Sequence, residues 1–173
     1  MTKETLNKNE LFVSIDKVMS QVIEMFAALD ESKINIVPFK DSWTAAQLLC
    51  HITKSTNGMA KALGTKSPPA ARSSVERVPE LKKIFLDFSK KFKSPEFIVP
   101  ENETYDKETS IRELEASVRE LKEHAEKADL DEITDKLPLG PITKLEILHF
   151  VLYHTTRHLH QLEKICDALK AQA

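Results

Sequence analysis

Leu11, Ile15, Val18, Val22, Met25, Phe26 and Leu29 recur at steps of three and four residues. Such spacing lines side chains along one face of an α-helix and conflicts with the two-residue period of a strand. The rhythm returns in Leu81, Ile84, Phe85 and Phe88, and again in Leu114, Val118, Leu121 and Ala125. Glycine is scarce, at 3 residues in 173, which argues against a sheet-and-turn architecture. The pattern predicts helices over about 6–31, 43–63, 77–93, 110–128 and 144–170.

Local chemistry marks the ends. Asp41-Ser42 offers an N-cap for the second helix, and Gly64 offers its stop. The extended stretch 34–38 closes on Pro38, which biases its neighbour away from the helical region. Pro79 suits the first turn of the third helix. Ser110 with Glu113, and Thr143 with Glu146, match the capping box. Residues 67–74 and 94–107 read as loops, and a further connection ends at Pro141. Four long helices and one shorter one, with no convincing strand pair, make an all-α bundle forming a single domain over 1–173. The length of its connections makes crossovers plausible.

Several function classes drop out. The net charge is -2 with both signs mixed, which leaves no electrostatic footprint for nucleic acid. The short basic cluster Lys90-Lys91-Phe92-Lys93 reads as the solvated end of a helix. There is no glycine-rich phosphate loop. The charged first residues, Met1 to Thr5, lack the apolar core of a secretory signal. No stretch reaches membrane-spanning length, so no membrane partner is expected. Two cysteines, Cys50 and Cys166, make no disulfide framework, and a reducing cytoplasm is the expected compartment.

Chemistry concentrates in the last helix, which carries His149, His154, His158 and His160. Taking His154 as zero and about 100° per residue, His158 falls near +40°, Gln161 near -20° and Arg157 near -60°. By the same rule His149 falls near -140° and His160 near -120°, on another face. Ile147, Val151 and Ile165 lie broadly on the His154 side, so the His154–His158 pair should point inward. Two imidazoles one turn apart can serve one divalent ion. They can equally form a hydrogen-bonded polar layer. His149 and His160 are expected to be partly exposed, and His124, in a charged segment, to lie on the surface. His51 stands alone in the second helix, with Gln47 one turn before it; side-by-side packing of the two helices would make a three-histidine site. Thr155 sits where a zinc protease motif needs Glu, and only Glu146-Ile-Leu-His149 matches the paired motif of a di-iron bundle. Cys50 adjoins His51 in sequence but points about 100° away on a helix, and reads as a core thiol.

Two stretches carry a resemblance. Trp43-Thr-Ala-Ala-Gln-Leu-Leu-Cys-His-Ile52 and His154-Thr-Thr-Arg-His158-Leu-His-Gln161 resemble the paired motifs of the DinB-like superfamily, which includes bacillithiol transferases of the YfiT type. The resemblance implies a four-helix bundle connected up-down-down-up. It implies a divalent metal, nickel or zinc, held by His51, His154 and His158. It also implies a metal-dependent enzyme that joins a low-molecular-weight thiol to a small electrophilic substrate. Gln47, Arg157 and Gln161 are candidates for supporting or substrate contacts. The alternatives are a metal-dependent hydrolase, or a non-catalytic stress-response bundle whose histidines are structural. A homodimer fits either case.

Overall fold

Asn7 opens the first helix with a reciprocal cap: its side chain accepts from the Glu10 amide at 3.0 Å, and the Glu10 carboxylate accepts from the Asn7 amide at 2.8 Å. In the computed structural model, which describes residues 6–172, the helices are α1 (Lys8–Ala27), α2 (Ala45–Gly64), α3 (Val78–Phe85), α4 (Lys107–Lys127) and α5 (Lys144–Ala171). The reading made of Met1 to Thr5 lies outside the described residues. Thr143 and Glu146 form the capping box expected for α5.

Two starts differ from expectation because a better-placed cap wins. The cap of α2 is Thr44, not Asp41-Ser42; its hydroxyl accepts from the Gln47 amide and the Gln47 side chain accepts from Thr44 in return. Asp41 instead turns the chain in the left-handed region, at φ 62°. The cap of α4 is Asp106, which accepts from the Thr109 amide at 2.8 Å. Ser110 therefore lies inside α4, bonded back to the Asp106 carbonyl.

The third helix is much shorter than expected. It stops at Phe85 although the apolar period continues to Phe88. Asp87 draws the Ser89 amide and hydroxyl to its side chain, which competes with helical hydrogen bonding. The Arg157 guanidinium takes the carbonyls of Phe85, Asp87 and Lys90, which a continued helix would have used. Phe88 is consequently exposed and stacks on His160, and Lys90 to Lys93 are an exposed loop rather than a helix end. A two-residue pairing was also not expected: Ile133–Thr134 (β1) runs antiparallel to Ile142–Thr143 (β2), closed by a turn in which Gly140 has φ 71°. Two residues per strand are too few for alternation to show.

Contacts along the helices set their directions. Lys8 meets Glu126 and Asp16 meets Lys122, so α1 and α4 are antiparallel. Leu6 meets His149 and Lys33 meets the Leu169 carbonyl, so α1 and α5 run together. Near the start of both α2 and α4, Cys50 lies beside the residues around Tyr105; near their ends, the Ala60 carbonyl meets His124. These two helices are thus parallel, and the order is up-down-down-up for α1, α2, α4 and α5. The helices pack α1 on α5, α5 on α2 and α2 on α4, with α3 laid against α5. Helix α5 is therefore enclosed by three others, and Ile147, Leu148, Phe150, Val151, Leu162 and Ile165 are all buried. Among the described residues no helix is long and apolar enough to cross a membrane.

Candidate metal centre

The antiparallel packing of α2 on α5 brings His51 opposite His154 and His158. All three are buried. Their Nε2 atoms form a triangle with sides of 3.3 Å (His51–His154), 3.0 Å (His51–His158) and 3.1 Å (His154–His158). Nitrogens about 2.0–2.1 Å from one ion are about 2.9 Å apart at right angles and about 3.3–3.4 Å apart at tetrahedral angles. The observed triangle falls within that span, so the donor set fits a divalent ion.

Outer hydrogen bonds fix which nitrogen faces inward. His51 Nδ1 lies 2.9 Å from the Ile98 carbonyl, which can only accept, so Nδ1 carries the proton. His158 Nδ1 donates to Gln161 Oε1 at 2.9 Å. Both Nε2 lone pairs then point at the common centre, with no proton between them. A cation at the centre would relieve that repulsion, as would a neutral His154 with its proton on Nε2. A second proton on any of the rings is disfavoured: burial pulls the His51 imidazole below its ordinary value. Burial pulls His158 down to about 3, helped by His51. It pulls His154 well below the usual range, helped by both neighbours.

Apolar rings wall the centre. Trp43 packs on His51 with centroids 4.9 Å apart. Phe150 stacks on His154 at 5.0 Å, and Phe85 meets His154 edge-on at 6.1 Å. These rings pack against His51 and His154 and hold the His154 plane. Phe150, four residues before His154, could have been found by helical phase.

The remaining candidates fall elsewhere. Gln47 spends its amide on the α2 cap and on the Glu101 carbonyl. Arg157 is engaged with the chain after α3 and lies over the Phe92 ring at 4.8 Å. His149 is buried rather than partly exposed, because α1 covers that face of α5; it donates to the Leu145 carbonyl and accepts the Leu6 amide at 3.2 Å. His160 is half-buried, as its phase implied. His124 is also half-buried, contrary to expectation. Its Nδ1 bonds the Ala60 carbonyl, and the ring sits where a Cβ on Gly64 would come within 2.8 Å. Cys50 is not a core thiol but half-buried, 3.9 Å from the Glu101 carboxylate.

Comparison with known proteins bears on the family and the fold. The sequence profile of the DinB superfamily matches residues 14–162. YuaE of Bacillus subtilis (strain 168), a protein described as uncharacterized, is 23% identical over 149 residues, covering 82% of this chain and 88% of its own. A solved four-helix bundle protein, TT2238, superposes with a TM-score of 0.60 at 15% identity, covering 90% of this chain and 98% of its own. That likeness bears on the fold alone.

Proposed function

Because the chain belongs to the DinB superfamily and brings three imidazole nitrogens to one point, we propose that it is a metal-dependent enzyme. His51, His154 and His158 hold the ion through Nε2, and imidazole donors suit nickel and zinc. The observation that carries this reading is the triangle of Nε2 atoms, in which the outer hydrogen bonds of His51 and His158 turn two lone pairs inward. Three protein ligands leave coordination positions open, the arrangement of catalytic rather than structural sites. A bound ion would supply Lewis acidity, lowering the pKa of a thiol or water in an open position.

The chain's own groups prepare that position. Ile98 and Gln161 orient the imidazoles, Trp43, Phe85 and Phe150 exclude water, and Arg157 keeps Phe85 in place through its carbonyl. A dry apolar wall strengthens every electrostatic interaction inside it. The reaction we assign is transfer of a low-molecular-weight thiol of the bacillithiol kind to a small electrophile, by the resemblance of the two histidine motifs to those of such transferases. Incubating nickel- or zinc-loaded protein with an electrophile and a panel of thiols tests it. Thiol adducts should form faster than with chelator-stripped protein or a His158→Ala variant. Rates equal to those controls for every thiol would refute transfer, and electrophile loss independent of thiol would mark hydrolysis instead.

A further inference from the structure

The three histidines are not held equally. His154 and His158 sit on one helix, and the partner of His158, Gln161, lies on the next turn of that helix. Phe150 stacks on His154 from the turn before. Their neighbours on α5 thus do most to orient them, with Phe85 of α3 meeting His154 edge-on. His51 differs: its outer nitrogen depends on the carbonyl of Ile98, which belongs to the connection between α3 and α4.

That connection has little regular structure of its own. Between Phe85 and Lys107 it contains a single 3-10 turn, Glu96–Ile98. Side chains from elsewhere place it. Asn35 grips the Tyr105 backbone with both its amide groups, each at 2.9 Å. The Tyr105 hydroxyl donates to the Glu101 carbonyl at 3.0 Å, and Gln47 reaches the same carbonyl at 3.3 Å. Nearest to Ile98 is Lys54, one turn beyond His51 on α2. Its ammonium donates to the Val99 carbonyl at 3.1 Å and pairs with the Glu101 carboxylate. Lys54 thus clamps the residues following Ile98 to the helix that carries His51.

We propose that Lys54 is a positioning residue of the site: by tying Val99 and Glu101 to α2, it holds the Ile98 carbonyl against His51 Nδ1 and keeps the His51 Nε2 lone pair aimed at His154 and His158. The metal consequence rests on the reading of the site given above. The tautomer consequence does not. The Lys54–Glu101 pair is itself accessible, with side chains 28% and 57% exposed, so its removal should leave the bundle folded.

Long-range proton–nitrogen NMR of the metal-free protein reads the tautomer of each histidine. In wild type the His51 proton should reside on Nδ1. In Lys54→Met, with helix content by circular dichroism unchanged, the other His51 tautomer should grow in while His158 keeps its own. Cobalt(II) affinity of the same variant should fall roughly tenfold, the lower end of what loss of an outer hydrogen bond costs a metal site, with a shifted visible cobalt spectrum. Lys54→Arg, which can still bridge a carbonyl and a carboxylate, should restore both. An unchanged His51 tautomer in Lys54→Met overturns the proposal whatever the cobalt affinity, as does a Lys54→Arg variant no better than Lys54→Met. Failure of wild type to take up cobalt would count against the metal reading alone, because the tautomer measurement needs no metal.

Discussion

A neutral imidazole has one proton and one ring lone pair, so whatever accepts from one nitrogen decides where the other points. At His158 that group is Gln161, whose amide oxygen takes Nδ1 and leaves Nε2 facing His51 and His154. Replacing Gln161 by Leu removes the acceptor without disturbing the helix. Metal affinity, measured by competition with a chromophoric chelator, should fall roughly 10–100-fold. An affinity within about twofold of wild type would show that Gln161 does not orient His158. On α5 the site is legible in sequence, because helical phase alone groups His154, His158 and Gln161. The burial of His149 is not, since phase separates faces but does not say that three helices enclose α5. Nor is Ile98, whose contribution is a backbone carbonyl without a side-chain signature.

At the level of elements, the start of α5 is secured by more than its capping box. The Glu146 side chain is fully buried and accepts from the Thr143 and Arg77 amides. It also takes both terminal nitrogens of Arg72, each at 2.7 Å, from the loop before α3. Burial pushes the Glu146 carboxyl up, but the Arg72, Thr143 and Arg77 hydrogen bonds more than offset this and hold it below its ordinary value of 4.5. A carboxyl depressed in the folded state stabilises the protein above its unfolded pKa and loses that contribution as pH falls through the folded value. Arg72→Met leaves a buried charge half-paired and should lower stability at pH 7 by about 3 kcal/mol, the low end for breaking a buried pair. Without Arg72, burial raises the folded Glu146 carboxyl, so it protonates first in the variant; urea unfolding at a series of pH values should show the deficit shrinking as pH falls from that point to the depressed wild-type value below 4.5. A deficit unchanged between pH 7 and pH 3 would contradict the pairing. The capping box was legible in Thr143 and Glu146, but Arg72 was not, because a loop arginine carries no mark of its distant partner. Helix positions were legible wherever the apolar period persisted. Helix ends were misjudged where two caps competed, as at Asp41-Ser42 against Thr44, or where Arg157 captured the carbonyls that would have continued α3.

For the whole molecule, the up-down-down-up order does the assembling. It sets α2 antiparallel beside α5, so a histidine in the first half of α2 meets two near the middle of α5. The same connectivity leaves a long crossover between α3 and α4, and that crossover supplies the carbonyl behind His51. Apolar period showed a bundle; only the packing of its helices shows that the three imidazoles converge. If this convergence holds a divalent ion, the metal content of the protein shows it. Elemental mass spectrometry of tag-free protein after incubation with nickel or zinc and removal of excess should find about one ion per chain, the number one three-histidine site can bind. His51→Ala, His154→Ala and His158→Ala should each retain almost none while remaining helical. A content near zero in wild type, or a full complement in any of the three variants, would mean that these imidazoles do not hold the ion.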